Sequence, residues 1–506
     1  MARPSSAGVA RGVCRALRRQ RDPPRHPLRV AARGVAVRLS PGRPSADRRR
    51  RRAHTPDRCA AGRCRRLRPR HCARARVRVV GPRRVLHGAD GRRWRAGGTA
   101  GGPRRRAGPR FVTDVEVIVV GGGPAGSTAA RGIAATGASV LLLERAKFPR
   151  DKPCGGGVTV RGAKILPFSI EPVVEDVVTA ARIRVRERRE VTRDAKGPLT
   201  FMTQRRRLDA FLVEQAQTVG AEFRDGQAVT DVLRLGDGMY EVRTKDGTHH
   251  ARVVIGADGA NGVVGNRLGY ESAGESAIAL EGNIAFPAGV PAEFRGKVTL
   301  NFGYVPGGYG WVFPKGDHVN VGVGGWKHAA GPILRPALQR LCHTYGLDFD
   351  SVTNLRGHHL PMQRHGMTVA ASGSAVVGDA AGLVDPLSGE GITAALLSGT
   401  VVAPVVRDYL DGRVSTLASY QTTLEREYLE EFEASQALME IFNVNQAPFI
   451  WMLQHLGPFW NGACRMIQGE VTYIDLTHVA GPASYALLRP TAKVSRLITS
   501  RRVTRG

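Results

Sequence analysis

Three short glycine-rich segments, far apart in the chain, restrict its possible folds more than any other feature. The first, Gly121-Gly122-Gly123-Pro124-Ala125-Gly126, follows the apolar run Val115 to Val120 and opens an Ala-rich stretch, Pro124 to Thr136, with helical spacing. A second apolar run, Ser139 to Leu143, ends at Glu144. This is the β-α-β pattern in which a glycine turn brings a helix N-terminus against a pyrophosphate. The second segment is Gly256-Ala257-Asp258-Gly259; the third is Gly378-Asp379-Ala380-Ala381-Gly382, with Pro386 and Gly389-Glu390-Gly391 close behind. One GxGxxG alone is weak evidence. Three such elements in this order point to a pocket for FAD.

Each segment has a chemical task. Gly121 allows the tight turn, Gly123 lets backbone approach a pyrophosphate, and Gly126 lets helix pack on strand, while Pro124 and Ala125 start a helix whose free amides attract phosphate. Glu144, 21 residues beyond Gly123 and followed by Arg145, falls where a carboxylate meets ribose hydroxyls. Asp258 and Asp379 are the carboxylates of the other two segments, and Gly378 and Asp379 are expected near the ribitol. Pro386, Gly389, Gly391 and Ile392 lead into a helix whose positive end suits an anionic reduced flavin. Arg205, ahead of Leu208 and Asp209, is a candidate cofactor contact or a solvated surface residue.

The formal charge of +32 invites a nucleic-acid reading until its position is examined. Met1 to Arg110 holds 34 arginines, four aspartates, and neither lysine nor glutamate, leaving 41 basic against 39 acidic residues in the rest. That front segment also lacks Ile, Asn, Phe and Tyr, as a GC-rich stretch read upstream of a true start would, and Val112 suits a GTG initiator. It is expected to be an extension without function, disordered or mis-assigned. A basic arm for nucleic acid or lipid and an Arg-rich targeting peptide are the alternatives. Cys14, Cys59, Cys64 and Cys72 fit no zinc pattern, and no metal site is expected. The sparse set Cys154, Cys342 and Cys464 suits a reducing cytoplasm. No apolar run reaches the ~18 residues of a spanning helix.

Strand and helix patterns organise the remainder. Gln204 to Val219 reads as a helix, and Tyr240 to Thr244 with Thr248 to Ile255 as a hairpin. Period-two alternation between Ala277 and Trp326, as in Val298, Leu300, Phe302 and Val319, Val321, Val323, predicts an antiparallel sheet with one covered face. Ser374 to Val377 is a buried strand, Gly391 to Tyr409 a helix, and Leu417 to Phe442 a long amphipathic helix. The expected fold class is α/β: a discontinuous Rossmann-like FAD domain, a ββα sandwich built from 112–190, 200–275 and 368–415. It encloses an antiparallel substrate sheet at 276–367 and precedes a helical C-terminal cap at 416–506.

Three motifs resemble those of the geranylgeranyl reductase family, in the para-hydroxybenzoate hydroxylase-like flavoprotein superfamily: Lys152-Pro153-Cys154-Gly155-Gly156-Gly157, Tyr309-Gly310-Trp311-Val312-Phe313-Pro314, and Gly378 to Pro386. The likeness runs from Val115 to about Asp475. It implies an FAD-dependent oxidoreductase that saturates C=C bonds of a polyprenyl chain on a lipid, quinone or pigment precursor. Flavin N5, reduced by NAD(P)H or another donor, would give the hydride. Tyr309 and Trp311 would line the prenyl pocket, and Cys154 would sit beside the isoalloxazine to modulate the step. Asn261-Gly262 and Gly265 depart from the superfamily pattern around Asp258. Gly382 stands where aromatic hydroxylases carry His, and Tyr309 and Phe313 differ from the halogenase pattern.

A flavin monooxygenase of the same superfamily is the rival enzyme, and a tail-borne nucleic-acid or lipid-binding function the rival of another class. A prenylated substrate is the expected partner, and nucleic acid is not. Ala447 to Trp460 gathers eight large apolar residues that cap the site, belong to the core or dip into a lipid surface. Peripheral contact with the inner face of a membrane is therefore an open expectation for an otherwise cytoplasmic protein.

Overall fold

The computed structural model describes residues 112–270, 275–362, 367–479, 490–492 and 495. The expectations about residues 1–111, with their four cysteines, lie outside these. A parallel sheet forms the frame, its strands in the order Ser374–Val376, Thr248–Gly256, Val112–Val120, Val140–Leu143 and Glu222–Arg224. Val117, Ile118 and Val119 are fully buried, because helices cover one face and the hairpin of Val229–Arg234 and Tyr240–Thr244 folds onto the other end. Burial on both faces is why these strands read as unbroken apolar runs.

The helix Pro124–Ala134 lies against Ile392–Leu410 through small residues. A Cβ on Gly132 would come 2.8 Å from that of Ala403, and one on Gly399 2.5 Å from the Ala125 carbonyl. The third glycine segment is thereby held beside the first.

The second sheet runs Thr353–Met362, Glu275–Ala285, His318–Trp326, Tyr309–Pro314, Lys297–Phe302, Ala180–Val185, Val191–Asp194. It differs from the expected sheet of 276–367 in two ways. It recruits 180–185 from a segment assigned to the FAD domain and 191–194 from the stretch left between its segments, and Ala180–Val185 pairs with Lys297–Phe302 in parallel. Pairing across more than a hundred residues leaves no local trace in sequence. Along Tyr309–Pro314, Val312 joins Val319, Val321 and Val323 under the helix Leu334–Thr344, so Tyr309, Trp311 and Phe313 take the opposite face. A three-stranded sheet of Gly157–Thr159, Thr200–Thr203 and Val174–Val178 takes its strands from either side of 180–194 in the chain.

The expected long helix of 417–442 is present from Ala418 to Val444, divided only by a widened π turn at Glu425–Leu429 into Ala418–Leu424 and Glu430–Val444. The apolar stretch after it also divides, into Ala447–His455 and Gly457–Ile467, with Pro458 in the first turn of the latter. Ile450 and Trp460 are core residues, whereas Trp451, Leu456 and Phe459 are 54%, 40% and 37% exposed. No described helix is long and apolar enough to cross a membrane.

Candidate active site

The three glycine segments meet. Gly121 has φ +110°, and a Cβ there would lie 2.3 Å from the Ala257 carbonyl oxygen. A Cβ on Gly126 would lie 1.9 Å from the Gly121 oxygen and 3.0 Å from Ala257 Cβ, and one on Gly378 would lie 2.8 Å from Ala125 Cβ. Only glycine permits these approaches. Gly123 then caps the helix Pro124–Ala134 with no side chain bonded to the free amides, the arrangement that receives an anion.

Two guanidinium groups face this turn. A Cβ on Gly123 would stand 3.7 Å from Arg205 and 3.8 Å from Arg150. Arg205 is 6% exposed, so the solvated alternative for it fails. Its Nε and Nη2 donate to the two oxygens of Asp209 at 2.7 Å each, and Arg150 Nη1 donates to the same carboxylate at 2.6 Å. Burial alone would push Asp209 up, but Arg205, Arg150 and Lys152 outweigh it and hold its carboxyl below the usual range. Sequence reasoning missed Arg150, because its partner lies 59 residues away.

Glu144 holds the turn from the far side. Its oxygens accept from Gly122 N at 2.9 Å and Ala146 N at 3.0 Å, and Arg150 lies 3.5 Å away. Arg145 is exposed, its charge felt at Asp258. Asp258 Oδ2 accepts from Val263 N and Val264 N at 2.5 and 3.0 Å, capping the helix Val263–Leu268, while burial raises its carboxyl. Its Oδ1 is buried with no hydrogen-bond partner among the described residues.

Asp379 is 3.6 Å from Lys152 Nζ and 3.8 Å from His358 Nε2. Burial would raise it, yet Lys152, His358 and Arg205 keep it well below the carboxylate range. His358, which has no partner pattern in sequence, thus faces the site. Gly391 caps Ile392–Leu410 without a side-chain bond, and a Cβ there would be 3.2 Å from Asp379 Oδ1. The turn from Asp385 through Pro386 to Gly389 is tied by Asp385 Oδ1, which accepts from Ser388 N and Oγ at 2.7 Å each.

Tyr309 and Trp311 lie side by side on the second sheet, and the Cys154 turn comes against Trp311 and Phe313. Tyr309 Oη donates to the Ser388 carbonyl at 2.6 Å, reaching the Gly389 turn. Trp311 Nε1 donates to Asn320 Oδ1 at 2.8 Å, and its ring occupies space opened by Gly322. A Cβ on Gly155 would lie 2.9 Å from Phe313 and 3.7 Å from Trp311 Nε1, so the Cys154 turn rests on the aromatic face. Ring centroids continue from Trp311 to Tyr309 at 6.0 Å, Phe302 at 5.9 Å, Phe442 at 6.1 Å and Phe449 at 5.8 Å.

A capless helix terminus with two converging guanidiniums, an orphaned Asp258 oxygen, and a second capless terminus beside Asp379 together fit FAD. The site defines an FAD-dependent flavoprotein, and the FAD binding domain family profile matches residues 114–422. The chain is 31% identical over 346 residues to the menaquinone reductase of Mycolicibacterium smegmatis, covering 64% of this chain and 84% of that one. It is 30% identical over 390 residues to digeranylgeranylglycerophospholipid reductase 2 of Methanosphaera stadtmanae, covering 69% and 98%. The chain belongs to the geranylgeranyl reductase family and is a flavin-dependent oxidoreductase. A geranylgeranyl bacteriochlorophyll reductase-like protein of Thermoplasma acidophilum shares the fold, with TM-score 0.60, 21% identity, and coverage of 75% and 100%.

Proposed function

We propose that this protein saturates C=C bonds of a geranylgeranyl-type polyprenyl chain carried by a lipid, quinone or pigment precursor. The observation that carries the reading is the aromatic file from Trp311 to Phe449, which begins against the Cys154 turn and touches the Gly389 turn through Tyr309. An unactivated alkene offers no polar handle, so a specific site must grip it by shape and dryness. Tyr309 and Trp311 hold the chain and exclude water, and Cys154 stands at the reacting end. Bound FAD, reduced by NAD(P)H or another donor, would supply the hydride, and an acid the proton that completes each saturation. The capless N-terminus at Gly391 and Ile392 stabilises negative charge brought beside it, while Arg150 and Arg205 hold phosphate.

Trp451, Leu456 and Phe459 are exposed on helices adjoining the end of the aromatic file, which supports peripheral contact with a membrane holding the substrate. The test is to reduce the flavin of the full chain without oxygen and mix it with geranylgeranyl and menaquinone compounds. Flavin reoxidation with a gain of two hydrogens in the product is the expected result. Reoxidation only on admitting oxygen, with oxygen in the product, would replace this reading by the monooxygenase one.

A further inference from the structure

The turn carrying Cys154 rests on a buried lysine. Lys315 is 4% exposed; its Nζ donates to the Gly155 carbonyl and, at 2.9 Å, to that of Thr203. Thr203 in turn donates to Gly156 O from both N and Oγ1, each at 2.8 Å. Gly156 has φ +67°, and a Cβ there would fall 2.1 Å from Thr203 O and 2.8 Å from Lys315 Nζ. The turn, the strand Thr200–Thr203 and the lysine are thus in direct contact. Glu281, 7% exposed, lies beside the backbone N–H of Cys154, and Arg205 lies beside the thiol, whose Sγ accepts from Gly156 N at 3.4 Å. Cys154, Arg205, Glu281 and Lys315 line one pocket, which Asp151 and Arg356 open toward solvent.

Lys315 spends its bonds on neutral carbonyls rather than on a carboxylate. Burial brings its ammonium down to about 8 against the opposing pull of Cys154, Glu175, Glu281 and Asp176. Burial likewise brings Glu281 up to about 7; the Cys154 N–H, Lys315 and Arg205 oppose that rise and Asp151 adds to it. Both groups change charge near neutrality and line the same pocket as a half-buried thiol. A thiolate is favoured by a neighbouring cation and disfavoured by a neighbouring anion.

We propose that Lys315 and Glu281 are opposed positioning residues that set the reactivity of the Cys154 thiol toward electrophiles, the lysine cation raising it and the glutamate anion lowering it. The proposal deepens the reading of Cys154 as part of the reducing site, but it is tested on the thiol alone. The FAD-bound full chain is pulsed with iodoacetamide, and Cys154 labelling is read by peptide mass spectrometry, with buried Cys342 and Cys464 as internal references. At pH about 7.5, Lys315→Met is expected to slow labelling about tenfold, and Lys315→Arg to restore most of the rate. Glu281→Gln keeps an oxygen for the Cys154 N–H. It should label at the native rate near pH 5.5 and severalfold faster near pH 8.5, because the native carboxyl ionises between those limits.

Native labelling in Lys315→Met overturns the proposal, as does a Glu281→Gln effect that is the same at both pH values. If Lys315→Met loses its flavin, the pH signature of Glu281→Gln decides alone. Failure of every prenyl substrate would leave these labelling rates untouched, so the two readings fail separately.

Discussion

Two buried charge clusters flank the Cys154 turn and respond to burial in opposite ways. In the first, Asp209 receives both arms of Arg205 and one of Arg150, and these partners outweigh burial, so the carboxyl is held low and the Arg205 guanidinium high. In the second, Glu281 and Lys315 bond mainly to backbone, and burial prevails, driving each toward its neutral form. The difference is geometric: a planar guanidinium can satisfy a carboxylate bidentately, whereas an ammonium between two carbonyls gains no compensating charge. One cluster keeps a fixed field beside the Gly123 turn. The other can change protonation beside the thiol.

The largest effect should come from breaking the fixed cluster. Asp209→Asn leaves two guanidiniums together with their shared counter-charge removed, and loss of one partner from a buried pair costs about 3–5 kcal/mol. Denaturant unfolding should show that loss, and retained flavin absorbance should fall with it, because Arg205 and Arg150 would turn from the Gly123 amides. A variant as stable as the native chain would mean that the cluster is not the unit described.

A smaller, pH-dependent effect should come from the adjustable cluster. The folded value of Glu281, about 7, exceeds its ordinary 4.5. Between those values the unfolded chain binds fewer protons than the folded one, so native stability falls as pH rises through the window. Glu281→Gln removes that loss. The variant should match the native chain below pH about 4.5 and exceed it by about 3 kcal/mol above pH about 7. A constant offset in melting curves across the range would show that the effect comes from packing.

Which of these features can be read from sequence follows from how each is encoded. The glycine segments are legible because every glycine marks a place where backbone meets backbone, as Gly121 does at Ala257 and Gly126 at Gly121. Burial on two faces likewise leaves its mark in Val115 to Val120. Tyr309, Trp311 and Cys154 were reached through the family motifs, not through periodicity. Neither route could show Arg150 or Lys315. Lys315 sits in a Lys-Gly-Asp turn that reads as solvated, and its burial depends on carbonyls 160 and 112 residues away. The strands 180–185 and 191–194 escaped for a related reason. Their arginines look like a solvent face, yet Arg182 and Arg184 stack on Tyr345 and pair with Glu190.

A third carboxylate completes the contrast and calls for the smallest effect. Asp225 is also held below its ordinary range, first by the Phe148 amide at 2.8 Å and only then by Lys147. Lys147 is 79% exposed although its Nζ lies 2.9 Å from the carboxylate, so solvent screens the pair and the lysine side chain loses rotamer freedom in making it. Lys147→Met should therefore change unfolding free energy by less than about 0.5 kcal/mol. Asp225→Ala should cost more, about 1–2 kcal/mol, because it leaves the half-buried Phe148 amide without its acceptor. If the two variants cost the same, the ion pair and not the amide sets the Asp225 charge. Distance alone would then rank these carboxylates, and the contrast drawn from burial and bonding geometry would fail at the surface, where screening makes its clearest demand.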